Sequence, residues 1–147
     1  MNRCTFRSVL AGAVIGLAGA TSHAATLAAV PETGGNFSIF YKGATQNLHI
    51  DPSATLSSPI YFYDGNLTPQ NPVTIQQALV DAFPQLTSTS QISLVGACDN
   101  GANCGTSSSV SNSTGFRVNT TSAFDYLAIH LGGGELFFHW NVPVSGS

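Results

Sequence analysis

Apolar and polar residues alternate with a period of two through much of the chain, and the clearest run is FDYLAIHLGGGELFFHWNV, residues 124–142. Two alternating segments flank Gly132, Gly133 and Gly134, the pattern of a β-hairpin closed on a glycine turn. A loop of two or four residues puts Leu127, Ile129 and Leu131 on one face with Leu136, Phe138 and Trp140, whereas a three-residue loop without a bulge would mix the faces. In the first register Tyr126, Ala128 and His130 share the opposite face with Phe137, His139 and Asn141, so one face is apolar and the other mixed. A lone two-stranded hairpin is marginal in water, so other parts of the chain must cover the apolar face. Only residues 143–147 follow the last strand, and unless an earlier segment pairs with it, 136–140 forms an open edge that templates self-association and that Phe137→Lys would protect.

The preceding chain reads as short strands punctuated by turns. Residues 37–42 alternate as a strand, 47–50 return from it, and 59–63 form an aromatic strand ending in the turn residues Asp64, Gly65 and Asn66. Another strand is predicted at 91–95, and 116–119 leads into the closing hairpin. The period changes between Asn71 and Pro84, where Ile75, Ala78, Leu79, Ala82 and Phe83 recur at helical spacing, with Thr74 and Gln77 as a capping box. This helix is expected to lay its stripe over a sheet edge or the end of a sandwich. Residues 25–35, rich in Ala, Pro and Gly, read as a flexible lead-in. The prediction for 36–147 is a mainly β fold, a single antiparallel β-sandwich, jelly-roll-like, with one short helix.

Residues 1–24 depart from this pattern and read as a secretory signal peptide. Arg3 and Arg7 precede an apolar run over 8–20, too short for a comfortable membrane span, and Ser22, His23 and Ala24 form a small-x-small cleavage site. Cleavage after Ala24 would discard Cys4 and release about 120 residues, enough for one domain. The mature chain would keep Lys42 and Arg117 against all seven carboxylates, a net charge of −5. Nucleic acid is excluded as a partner by the lack of clustered cations, and anionic membrane surfaces are disfavoured likewise. Charged residues make up 7% of the sequence, against about 25% in ordinary soluble domains. The surface must therefore be Ser, Thr, Asn, Gln and Gly, which suits a secreted protein.

Candidate chemistry is sparse. His130 and His139, read as diagonal neighbours on one hairpin face, are too few for a metal site, and nothing places His49 beside them. Asp99, Asn100 and Asn103 offer oxygens but not the spacing of a calcium loop. The sequence has no nucleophile elbow, His-Glu-x-x-His pair or phosphate loop, so neither an enzyme nor a cofactor is expected. Asp125 and Glu135 form only a weak glycosidase pair, being placed at opposite ends of different strands. Tyr61, Tyr63, Tyr126 and Phe137 are read as exposed-face aromatics that could form a sugar-stacking platform. Cys98 and Cys104, in CDNGANC, are expected to pair as a local disulfide in an exported chain.

The leader, the Ser/Thr/Asn/Gly-rich body and the final FDYLAIH, glycine turn and ELFFH together resemble the ectodomains of bacterial PEP-CTERM proteins, which are exosortase-sorted to the cell exterior. The resemblance covers the leader and roughly the last 30 residues. It implies a non-enzymatic extracellular β-domain associated with exopolysaccharide or other envelope proteins in a biofilm matrix. The family's Pro-Glu-Pro motif, hydrophobic helix and basic tail do not occur before Ser147, so the likeness is to the ectodomain without its anchor. The alternative expectation is an extracellular carbohydrate-binding module.

The cysteine pair yields a direct test. Intact mass of freshly exported protein is expected to rise by two hydrogens on reduction, and the closed loop to contribute roughly 2–3 kcal/mol of stability. Two free thiols in unreduced material would refute the pairing.

Overall fold

The computed structural model describes residues 25–94, 107–109, 116–118 and 120–146; the leader and the Cys98–Cys104 loop lie outside these residues. Its elements are β1 (Thr26–Val30), β2 (Asn36–Tyr41), β3 (Ala44–His49), β4 (Ile60–Asp64), α1 (Pro72–Ala82), a 3-10 turn (Thr89–Gln91), β5 (Ser107–Ser109), β6 (Phe116–Val118), β7 (Thr120–His130) and β8 (Glu135–Gly146). The chain is mainly β, antiparallel, with one short α-helix, as the alternation implies. One four-stranded sheet in the order β1-β4-β8-β7 forms the centre, and β2-β3 and β5-β6 are two-stranded ribbons. Among the described residues the sandwich is thus lopsided, with four strands facing two rather than the paired four-stranded sheets of a jelly roll.

The closing hairpin adopts the register that the sequence favours. Ile129 lies opposite Leu136 and Leu127 opposite Phe138, with residues 131–134 as the loop. Gly132 takes a left-handed φ of 77°, and at Gly134 a Cβ would come within 2.7 Å of the Phe62 ring, so both positions need glycine. The β2-β3 ribbon turns through Lys42 and Gly43, both at positive φ, matching a two-residue hairpin turn.

Two cores form, one on each face of the central sheet. On the first, Ile60, Phe62, Leu136, Phe138 and Trp140 meet Phe37 and Ile39 from the ribbon, with Leu127, Ile129 and Leu131 packed around them. Phe37 and Phe138 make an edge contact at 5.7 Å, and Phe124 meets Trp140 at the same distance. The indole N–H of Trp140 donates to the Pro52 carbonyl at 2.7 Å, so the buried ring has no unpaired donor. On the second face, Ala78, Leu79, Ala82, Phe83 and Leu86 close over Phe137. The helical stripe therefore lies on the sheet's face rather than over its edge.

Several local expectations are corrected. Residues 26–30 are not a loose arm: they pair along β4 from Thr26 opposite Asp64 to Val30 opposite Ile60, and Val30 enters the first core. The helix is capped by Asn71 rather than Thr74, because the Asn71 side chain accepts from the Thr74 N–H at 3.0 Å and Pro72 can start the helix without a donor. Within 91–95, the described residues form no strand. Ser88 and Gln91 close a capping box there, and the Gln91 carboxamide oxygen accepts from the N–H groups of Thr87 and Ser88, which winds the segment into a 3-10 turn.

The last strand is not an open edge. β4 pairs with β8 from Glu135 to Phe137, and beyond β4 the segment 55–57 continues the pairing, with Ser57 N–H donating to His139 O and Asn141 N–H to Thr55 O, both at 2.8 Å. The premise for self-association through 136–140 is thereby removed, and a lysine at 137 would be driven into the second core.

Phe137 is fully enclosed, at 0% exposure, whereas Val73 on the outer side of α1 is 71% exposed. Phe137→Ala is expected to cost roughly 3–5 kcal/mol in urea denaturation, and Val73→Ala no more than about 0.5 kcal/mol. Near-equal losses would show that the helix does not cover this face.

Candidate functional site

The four aromatic residues expected to form a sugar platform do converge on one face. Tyr61 and Tyr63 of β4, Phe137 of β8 and Tyr126 of β7 belong to the cluster under α1. There they serve as core. Phe83, at the helix exit, makes edge contacts with Tyr61 at 5.0 Å and Tyr126 at 5.3 Å, and Phe137 has no exposed surface. Phe137 is thereby removed from any platform, while Tyr61, Tyr63 and Tyr126 pack partly exposed around the helix.

Polar side chains on the same face gather at the two ends of α1. At the entry end Glu135 is 1% exposed and lies opposite His130 on β7 and Tyr63 on β4. His130 Nδ1 lies 2.7 Å from Glu135 Oε1, and the Gln70 amide donates to the same oxygen. A carboxylate can only accept, so Nδ1 carries a proton and donates it to Glu135. The 3.3 Å approach of Gln70 Nε2 to His130 Nδ1 is then two donors converging on one oxygen. The arrangement holds a buried carboxylate with two donors, one from the sheet and one from the loop that leads into the helix.

At the exit end His139 stacks on Tyr126, with ring centroids 4.5 Å apart. Its Nδ1 lies 2.9 Å from Ser57 Oγ and 3.3 Å from Gln85 Nε2, and the Gln85 amide donates to the Tyr126 hydroxyl at 3.3 Å. Ser57 Oγ donates its one proton to Asn141 Oδ1 at 2.7 Å, so the His139 Nδ1–H donates to Ser57 Oγ, and the Gln85 amide beside it directs its proton to the Tyr126 hydroxyl. Burial lowers the His139 pKa below its ordinary value and outweighs the opposing pull of Asp125. Burial likewise raises the Tyr126 pKa, with the Gln85 hydrogen bond opposing and Asp125 adding to it.

A hydroxyl beside a neutral imidazole is the minimal pair for nucleophilic chemistry. Here the pair is built into strand pairing, because Ser57 N–H donates to the His139 carbonyl and Leu56 bridges to Trp140. Gln70 and Gln85 pin both ends of α1 to the sheet, and Ser57 pins the segment before β4 to β8.

The other candidates separate. The register places His130 opposite Glu135 and His139 opposite Tyr126. The two histidines are therefore not diagonal neighbours but stand four strand positions apart, roughly 13 Å. His49 lies on the β2-β3 ribbon, bonded to Asn36 at 3.1 Å and paired with Asp51 at 3.1 Å. Among the described residues no three His, Cys, Asp or Glu side chains converge as a metal site. Asp125 is five residues from His130 on β7, whose partner is Glu135. That is roughly 17 Å of strand, beyond the ~6.5–9.5 Å of an inverting glycosidase pair. Cys98, Cys104, Asp99, Asn100 and Asn103 lie outside the described residues.

Gln70, Gln85 and Ser57 escape sequence reading because they act from outside the predicted elements. Glu135 carried a usable signal: the hairpin register pairs it with His130 on a face that also holds Phe137.

For His139, a folded pKa below the unfolded value near 6.5 means that the unfolded chain binds the proton first. This group's contribution to stability is complete above about pH 6.5 and is lost as the pH falls toward the folded value. An NMR titration is expected to show the His139 ring protonating at lower pH in the folded than in the urea-unfolded protein, and His139→Gln to flatten the pH dependence of stability just below 6.5. A folded ring titrating at or above the unfolded value would contradict this.

Compared with known proteins, the chain matches no family model, no curated protein and no solved structure.

Proposed function

We propose that this chain is a secreted, non-enzymatic structural β-sandwich protein of the bacterial envelope or biofilm matrix. The observation that carries the reading is the use made of its reactive side chains. His130, Glu135, His139 and Ser57 each bond to a residue from another element, and these bonds tie helix, sheet and loop together. The leader-like segment 1–24, the sparse charge and the PEP-CTERM-like ending support the same reading. The partners it implies are exopolysaccharide or other envelope proteins. A second reading, an extracellular carbohydrate-binding module, is favoured by the row of hydroxyl, amide and imidazole groups on the outer face of the β2-β3 ribbon.

Expression of the whole chain with its own leader in a biofilm-forming bacterium tests the proposal. The expected result is a mature protein beginning at Ala25 that sediments with the extracellular matrix. Cytoplasmic retention with residues 1–24 intact would overturn it. So would turnover of chromogenic ester or glycoside substrates that is abolished by Ser57→Ala.

A further inference from the structure

The β2-β3 ribbon presents a second face that the core does not use. Phe37 and Ile39 point into the first core, so alternation sends Asn36, Ser38 and Phe40 outward, opposite His49, Asn47 and Thr45. We infer that this outer face is a binding surface for neutral carbohydrate, an inference that rests on the matrix-associated reading above and names the surface and the chemical class of its partner.

Three observations carry it. Its polar groups are held in place before any ligand arrives: Ser38 Oγ donates to Asn47 Oδ1 at 2.7 Å, and His49 is bonded to Asn36 and Asp51. Ordering them in advance lowers the entropy cost of binding. The Ser38–Asn47 bond leaves the Asn47 NH2 donors and the Ser38 lone pairs directed at solvent, which is the mixed donor and acceptor set that a polyhydroxyl ligand requires. The exposed ring of Phe40, at 67%, stands next along the strand on the same face and offers an apolar platform for the C–H face of a sugar.

Shape and charge narrow the class. A shallow, open groove of about 560 Å³ is lined by Pro31, Asn36, Ser38, Asn47 and His49 together with Phe37 and Leu48, and Phe40 is not part of its lining. Among the lining residues only His49 is ionisable, and its ring is paired with the Asp51 carboxylate. The Lys42 ammonium, at the ribbon's turn, lies 5.1 Å over the Tyr41 ring. A polyanion would find no cluster of cations in the groove, and a neutral glycan needs none.

The test is calorimetric titration of the full-length mature protein with neutral cello-, malto-, manno- and galacto-hexaoses, and with a hexauronate as the acidic control. Binding of at least one neutral hexaose is expected, weakened about five- to tenfold by Asn47→Ala and by Phe40→Ala and retained in Phe40→Trp. Both positions are exposed, and circular dichroism and melting curves verify that the variants fold. Three results overturn the inference: no heat with any neutral hexaose up to about 10 mM, binding unchanged in the double variant, or binding of the hexauronate alone. A blank glycan panel for a protein that still sediments with the matrix would defeat this inference and leave the structural proposal standing. Glycan binding by a protein retained in the cytoplasm would do the reverse.

Discussion

Everything in this fold depends on the first half of β8, residues 135–140, being covered on both faces and paired along both edges. Leu136, Phe138 and Trp140 fill the core under the ribbon, while Glu135 and Phe137, between them, point to the helix. An antiparallel sheet with one wet face alternates apolar with polar residues; a strand covered on both sides reads as a continuous apolar run, as Leu136, Phe137 and Phe138 do. β4 repeats the arrangement beside it, sending Ile60 and Phe62 to one core and Tyr61 and Tyr63 to the other. The helix and the ribbon are placed by these two strands, since each covers an apolar surface that would otherwise face water.

Burying both faces of this half of β8 also brings polar groups inside, and the molecule answers with cross-links between elements. The Glu135 carboxylate would be strongly unfavourable in the core without donors, and it receives them from His130 and Gln70. His139 and Tyr126 stack at the other end of the helix and are held by Gln85 and Ser57. The glutamines stand just outside the two ends of α1, so the same bonds that satisfy the sheet's polar groups fix the position of the helix. Chemistry-bearing residues are thereby drawn into the scaffold, whereas the outer face of the ribbon keeps hydroxyl and amide groups turned to solvent.

The sequence alone determined what depends on near neighbours. Period-two alternation and three glycines specified the closing hairpin and the sharing of one face by Leu127, Ile129, Leu136, Phe138 and Trp140, because a one-residue slip would send every one of those side chains to the wrong side. Helical spacing between Asn71 and Pro84 located α1, since its stripe is a local repeat. Only tertiary structure decided what lies against these elements. Residues 26–30 carry no strong strand signal and become a strand through pairing with β4, and the Gln91 segment gives up its strand-like pattern for a side-chain-capped turn. Tyr61, Tyr63, Tyr126 and Phe137 share a face by alternation, yet whether that face met a ligand or a helix depended on segments far apart in the chain. Alternation states which side chains point together; it carries no information about what covers them, because that is settled by the apolar area each face can bury against the rest of the molecule.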